Sequence, residues 1–209
     1  MSILRTNQIQ DTGTNTAMSI NGGVVTFNNI PIGASQIELI HSVTLTSGSS
    51  SEIDFNGYFS STYTNYELHG TNIHVSSDGA HIGIRVIIGG AVKSDSHYRY
   101  SRLRNYSGDS TPRGSAELTD TEFAFFGGRG IGNATGEHSN FKATIYDPLA
   151  TDNFKTIESR TSQIDAGTDS WQLIMSGHYK NGTAALSGVR LFANTGNIVS
   201  GKFKLYGVR

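Results

Sequence analysis

Apolar and polar side chains alternate along most of this chain with a period of two residues. Ile82, Ile84, Val86 and Ile88 form one apolar series, and KFKLY near the C-terminal end alternates just as regularly. Successive side chains of a β-strand point to opposite faces, so this pattern predicts strands with one buried face. We expect the final segment to be a strand that docks into a sheet.

Turn residues separate the alternating segments. In QIELIHSVTL we expect Ile37, Leu39, Val43 and Leu45 to share one face. SSDG, between the runs 66–75 and 82–88, predicts a hairpin. Further strand candidates are HYRYSRL, EFAFFGG, FKATIYD, FKTIESRTSQI, SWQLIMSGHY, SGVRLFA and GKFKLYGV. No stretch sustains a helical period with caps, so the pattern predicts an all-β fold, a jelly-roll-like antiparallel β-sandwich.

The first 28 residues have a different pattern. Their apolar positions are sparse among Asn, Thr and Gln, and too few to build a core alone. Such a segment is either a disordered lead-in or an extended arm that becomes ordered against other chains. We predict an arm for assembly or attachment at residues 1–28 and a β-sandwich at 29–209. The predicted arm contacts are Ile3, Leu4, Ile9 and Ile20.

The amino-acid composition limits the classes of partner and of chemical site that this chain can have. The chain has 209 residues, a net charge of −1, 16% charged residues and no cysteine. The weak charge favours neither nucleic acid nor a membrane as partner, and disulfides and thiolate sites are impossible. Its 25 glycines point to turns, and 10 Phe with 9 Tyr favour a packed core over disorder.

Metal motifs are incomplete. The seven histidines form no HExxH motif, and His69 and His74 would lie on opposite faces of a strand unless a bulge near Gly70 intervenes. EIDFNG resembles the start of a calcium loop, but Tyr63 stands where the loop needs a bidentate Glu. We expect neither a metal nor a cofactor.

Catalytic motifs are also incomplete. GGRGIGNATG does not complete a phosphate-binding pattern and is expected to be a loop. Asp120 with Glu122, and Asp165 with Asp169, are carboxylate pairs of the kind that glycosidases use, but solvated acids at strand ends are the commoner case. There is no G-x-S-x-G nucleophile motif. We therefore predict no catalytic residue.

The segment HYRYSRLRNY is the densest chemical feature. A strand would divide it into two files, one of them rich in tyrosine and arginine and the other made of His97, Arg99, Ser101, Leu103 and Asn105. Tyrosine and arginine are enriched in subunit interfaces and also stack on sugars. The file is thus a candidate subunit contact or has a structural role, and a glycan contact or a nucleic-acid contact is the alternative, with nucleic acid disfavoured by the neutral charge. Its members are Tyr98, Tyr100, Arg102, Arg104 and Tyr106.

Several segments together resemble virion structural proteins of tailed bacteriophages, especially marine ones. The opening ILRTNQIQDTGTNTAMSINGGVVTF is similar to the N-terminal segment of their tail fibres. NIPIGASQIELI, SSDGAHIGIRV, SWQLIMSG and SGVRLFANTGNIVSGKFKLYGVR are similar to the β-rich domain that often ends them. Residues 94–137 match least well.

The resemblance implies a jelly-roll-like domain, assembly as a homotrimer and a place in the virion beside other tail or capsid proteins. It carries over no catalytic residue. We expect a non-enzymatic short tail fibre that binds a host surface glycan or receptor, without insertion into the membrane. A capsid decoration protein is the alternative within the same class. A carbohydrate-binding module and a glycan depolymerase are alternatives from other classes.

Overall fold

The computed structural model describes residues 8–10, 16–21, 24–27, 36–46, 48–125 and 129–209, and these residues contain β-strands and no helix. The prediction of an all-β fold is therefore confirmed for this part of the chain. No described helix is long and apolar enough to cross a membrane.

The strands are β1 Gln8–Gln10, β2 Thr16–Asn21, β3 Val24–Phe27, β4 Ile37–Leu45, β5 Glu52–Asn56, β6 Asn65–Val75, β7 Ile82–Ile88, β8 Ala91–Val92, β9 Tyr98–Tyr106, β10 Asp109–Asp120, β11 Phe123–Phe125, β12 Ser139–Tyr146, β13 Lys155–Ile164, β14 Ser170–Tyr179, β15 Gly188–Ala193 and β16 Ile198–Val208.

The chain divides into two compact units, residues 1–36 and residues 37–209. In the first unit β1, β2 and β3 form an antiparallel three-stranded sheet, with Ile9 opposite Met18 and Ile20 opposite Val25. The segment predicted as an arm thus contains a small sheet of its own. The predicted contacts Ile3 and Leu4 lie outside the described residues, and the assembly role of the segment stays a prediction.

The second unit consists of two antiparallel sheets. The large sheet has eight strands in the order β10-β9-β14-β13-β12-β6-β16-β4, and the small sheet has the order β11-β7-β15-β5, with β8 paired to β7. Side chains of both sheets form a single core cluster, as in a β-sandwich. The strand β16 lies between β6 and β4, and its Phe203 and Leu205 are fully buried. The predicted docking of this last strand is confirmed.

The face assignment in β4 was wrong for its first half. Val43 and Leu45 pack on the core as predicted, but Ile37 and Leu39 are about half exposed. In the pairing with β16, His41 lies opposite Leu205 and Leu39 lies opposite Tyr206, so Ile40 is an extra residue. This β-bulge reverses the alternation of faces. Even-numbered residues therefore lie on the inner face of the sheet before the bulge, and odd-numbered residues lie on it after the bulge.

The predicted hairpin around SSDG was also wrong. The strand β6 belongs to the large sheet and β7 to the small sheet, so the turn carries the chain from one sheet to the other. Gly79 N–H donates to Ile131 O at 2.9 Å, which ties this turn to a distant loop. The turn residues correctly predicted that the chain reverses direction here, but they do not specify which strand β7 pairs with.

Candidate functional site on the outer face of the large sheet

The tyrosine and arginine file of β9 faces the interior of the sandwich. Tyr98 and Tyr100 are 0% and 4% exposed. The Tyr98 hydroxyl donates to Lys93 O at 2.7 Å and accepts from Val86 N at 3.0 Å, and the Tyr100 hydroxyl donates to Asp120 at 2.6 Å. Burial raises the pKa of both phenols. The expectation of a surface contact is therefore corrected for these two residues, which are core residues.

The rest of the file forms a polar network on the same inner face. Arg102 is buried and donates to Ser115 Oγ at 2.9 Å and to Glu117 at 3.0 Å. Tyr106 stacks on Trp171 with ring centroids 4.4 Å apart. Arg104 is half-buried, and its burial and the nearby Arg102 and Arg113 cations lower its pKa. These contacts within the protein account for the high density of aromatic and basic residues in β9. A contact of Arg104 and Tyr106 with a partner stays a prediction.

The outer face of the large sheet carries the exposed apolar side chains. Leu103 and Ile174 lie directly opposite each other on β9 and β14, and they are 52% and 45% exposed. Leu118 on β10 is 64% exposed. Two adjacent large aliphatic side chains at solvent-facing strand positions make this face a candidate contact surface. The sequence signal was present in Leu103, which belongs to the outward file of HYRYSRLRNY.

An open groove of about 770 Å³ lies beside these residues, and we call it the aromatic groove. Phe154 precedes β13, is half exposed and stacks on His178 with ring centroids 5.6 Å apart. Tyr146 is partly exposed and donates its hydroxyl to Glu158 at 2.9 Å. Arg99 and Leu118 complete this part of the lining. The groove combines aromatic faces with hydrogen-bonding groups, as a sugar-binding or protein-binding surface requires.

The groove lining contains one imidazole, that of His178, together with the ionisable residues Arg99, Glu117 and Asp147. Burial lowers the pKa of His178, and the Arg99 and Lys180 cations lower it further. His178 is therefore neutral at pH 7, and its ring can stack on Phe154 while offering one donor and one acceptor. The permanent positive charge in the lining is that of Arg99.

The candidate catalytic carboxylates have separate structural partners. Asp120 accepts hydrogen bonds from Tyr100 and from Thr121 N. Glu122 is buried and contacts His81 Nε2 at 2.6 Å and Arg85 at 3.6 Å. Each carboxylate is thus held in its own network.

Asp165 is a fully buried turn residue. It accepts hydrogen bonds from Gly167 N at 2.8 Å, Asp169 N at 2.9 Å and Trp171 Nε1 at 2.7 Å. These three bonds close the turn between β13 and β14, so the carboxylate has a structural role there. Asp169 accepts from Ser107 Oγ at 3.1 Å instead.

The metal-like motifs have ordinary contacts. Among the described residues no group of three or more His, Asp or Glu is placed to hold a metal ion. His69 contacts Glu67 at 3.1 Å, and the ring of His74 lies 6.2 Å from that of His138. The bulge near Gly70 is present, with Asn72 at φ 51°, and it places His69 and His74 on the same outer face. Glu52 and Asp54 both pair with Arg190.

The glycine-rich loop is described only in part, since Gly127 and Gly128 of GGRGIGNATG lie outside the described residues. In the remainder, Ala134 N–H donates to Glu137 at 2.6 Å, and Gln163 donates to Gly130 O at 2.7 Å. In this part of the loop, these backbone groups thus form hydrogen bonds with side chains of the protein itself.

No protein-family model, curated protein or solved structure matches this chain.

Proposed function

We propose that the chain is a non-enzymatic structural protein of a tailed-bacteriophage virion, a short tail fibre that assembles as a homotrimer and contacts the host cell surface. The observation that carries this proposal is the exposed apolar pair Leu103 and Ile174 beside the aromatic groove, on one sheet face. A protein that works by contact needs such a surface and needs no catalytic cluster. The segment resemblance gives the setting in the virion.

The strand order supports a jelly-roll assignment. Within the large sheet, in the order β4-β16-β6-β12, the first strand of the domain lies beside the last. Within the small sheet, in the order β5-β15-β7-β11, the next strand along the chain, β5, lies beside β15, which directly precedes the last strand. This order matches that of two Greek keys in an eight-stranded jelly roll, a fold that viral capsid proteins use, and so supports the proposal. The strands β13, β14, β9 and β10 then extend one sheet, and we call them the added strands.

The added strands supply the two contact surfaces. In this proposal Leu103 and Ile174 pack against a sister chain, because aliphatic pairs suit a dry subunit interface. The aromatic groove then faces the host, because Phe154, Tyr146 and Arg99 suit a sugar ring and its polar groups. Three copies would add weak contacts through multivalency.

Light scattering tests the assembly part of this proposal. We expect a trimer for the full chain and a monomer for a chain that begins at Asn29, with a weakened trimer for Leu103→Ser/Ile174→Ser. The matched control is Ser101→Ala/Ser176→Ala, which changes neighbouring outward residues without removing apolar area and should stay trimeric. A monomer at all concentrations for the full chain would overturn the trimeric fibre.

A free-standing carbohydrate-binding module is the second candidate, and the stacked Phe154 and His178 favour it. It differs from the fibre in predicting glycan binding by a monomer. Phe154→Ala should then abolish binding to a glycan array, whereas Phe59→Ala, which is not in the groove lining, should not.

A further inference from the structure

Four nitrogen-bearing side chains form a row across the outer face of the large sheet, and we call it the cationic row. Each lies opposite the next in the strand register, from β16 through β6 and β12 to β13. Neighbouring strands lie about 4.8 Å apart, so the row spans about 14 Å perpendicular to the strands. Its members are Lys204, His69, Lys142 and Arg160.

The positive charge of this row is only partly balanced. Glu67 contacts His69 at 3.1 Å and Lys142 at 2.6 Å. Burial acts to raise the pKa of Glu67, but the bonds from Lys142 and His69 outweigh it and lower that pKa, so this carboxylate is ionised at pH 7. Among the described residues, Lys204 and Arg160 have no carboxylate within ion-pair distance, and both are exposed.

A line of polar residues, uncharged except for Lys202, runs beside the cationic row, two residues along each strand and on the same face. Asn140 lies opposite Ser162, which lies opposite Gln172. Lys202 lies opposite Thr71 at the end of this line. Two shallow depressions follow it, of about 720 Å³ and 190 Å³, and no Asp or Glu lines either one. We call this line the polar trough.

The local backbone fixes one amide of the trough. Asn72 adopts a left-handed conformation at φ 51°, which asparagine tolerates better than most residues, and its N–H donates to the side-chain oxygen of Asn140 at 2.9 Å. The Asn140 oxygen is thereby anchored, and its amide nitrogen remains available to donate at the surface.

We propose that the cationic row and the polar trough bind an extended acidic polysaccharide that lies across the strands. Its carboxylates would contact Lys204, Lys142 and Arg160, and its hydroxyls would contact the amides and hydroxyls of the trough. A regular series of cations at the strand spacing matches a polymer with regularly spaced anionic groups.

The same surface fits nucleic acid less well. The two aromatic residues at the trough, Phe141 and Trp171, are 5% and 4% exposed, so they offer no face on which a base could stack. The net charge of −1 also provides no wider basic surface for a phosphate backbone.

This inference gives the chemical class of a host-surface ligand if the proposed attachment function is correct, but it does not depend on that function. The trough is separate from the aromatic groove, and binding is a property of the purified full chain. The two experiments have separate readouts, mass for the trimer and affinity for the polysaccharide, so their failures are distinguishable although Arg160 lies opposite Ile174 in the register.

Biolayer interferometry with immobilised polygalacturonate, neutral dextran and duplex DNA tests the inference. We expect binding to polygalacturonate that weakens as salt is added, and no binding to dextran. Lys204→Gln/Arg160→Gln should lower the affinity about tenfold, because two unpaired cations at the ends of the row are removed. The charge-conserving Lys204→Arg/Arg160→Lys should restore it.

The matched control is Lys93→Gln/Lys180→Gln, which removes the same charge, with Lys180 following the far end of β14. We expect it to bind within about twofold of the wild type, since general charge contributes little. Equal loss in both double variants would overturn the inference, and so would equally tight binding of dextran. DNA binding as tight as that of polygalacturonate would assign the surface to nucleic acid instead.

Discussion

Two groups of strands in the large sheet differ in what their inner faces contain. One group is β4, β16, β6 and β12, which we call the core strands, and the other is the added strands. On β16 and β6 the inner face is apolar, with Phe203, Leu205 and Leu68 fully buried. On β13 and β9 it includes Gln163 and Arg102, which are buried polar side chains. The added strands place these polar groups beside apolar core residues such as Leu173 and Met175, and they expose Leu103 outside. Buried polar groups on the inner face, with an exposed Leu103 on the outside, are consistent with the contact surface that we propose for these strands.

The largest expected effect comes from removing an apolar side chain from the core strands. Phe203→Ala should lower the free energy of unfolding by about 3–5 kcal/mol, because it leaves a cavity in a fully buried site. Leu103→Ala on the added strands is the control and should cost about 0.5 kcal/mol or less. Urea denaturation measures both, and similar losses would contradict the contrast between the two regions.

A smaller effect is expected from the turn that joins two added strands. Asp165→Ala removes three accepted hydrogen bonds from a fully buried carboxylate and leaves Trp171 Nε1 without its partner. We expect a loss of about 1–3 kcal/mol in the free energy of unfolding. Asp169→Ala, whose carboxylate accepts from the exposed Ser107, is the comparison and should cost less. An equal cost for the two would mean that the Asp165 carboxylate does not hold this turn.

The smallest effect concerns acid stability at Glu67, on the core strand β6. Its pKa in the folded chain lies below its ordinary value of 4.5, so its stabilising contribution is present above that value and is lost as the pH falls through the folded pKa. We expect about 1 kcal/mol or less, since Lys142 is half exposed. Glu67→Gln should flatten the decline of the free energy of unfolding below pH 5, and an unchanged slope would show that Glu67 does not contribute to it.

Period-two alternation predicted the strands well, because burial on one face is a local property of each segment. It correctly placed Phe203 and Leu205 in the core. It was wrong for Ile37 and Leu39, since a single bulge opposite Tyr206 reverses the faces and leaves no local sign in the sequence. The SSDG turn likewise gave the reversal but not the change of sheet.

The site was harder to predict, for two physical reasons. Tyrosine and arginine occur both in buried networks and on surfaces. The prediction that Tyr98 and Tyr100 share one face of the strand was therefore correct, but the prediction that this face is exposed was wrong. The aromatic groove is assembled by register from β9, β10, β12, β14 and the loop before β13. Phe154 and His178 are 24 positions apart in the chain, and only the pairing of β13 with β14 brings them together.

The position of β16 also sets an order of events during folding. Its two neighbours β6 and β4 do not pair with each other, and β4 has no other strand partner in the described sheet. Residues 37–45 must therefore wait for residues 198–208, more than 150 positions later, before their backbone groups find partners. Such long-range pairing makes folding slow. Until then the first strand of the domain stays open to pairing with other chains, so the time between synthesis of β4 and insertion of β16 is when this protein is most exposed to aggregation.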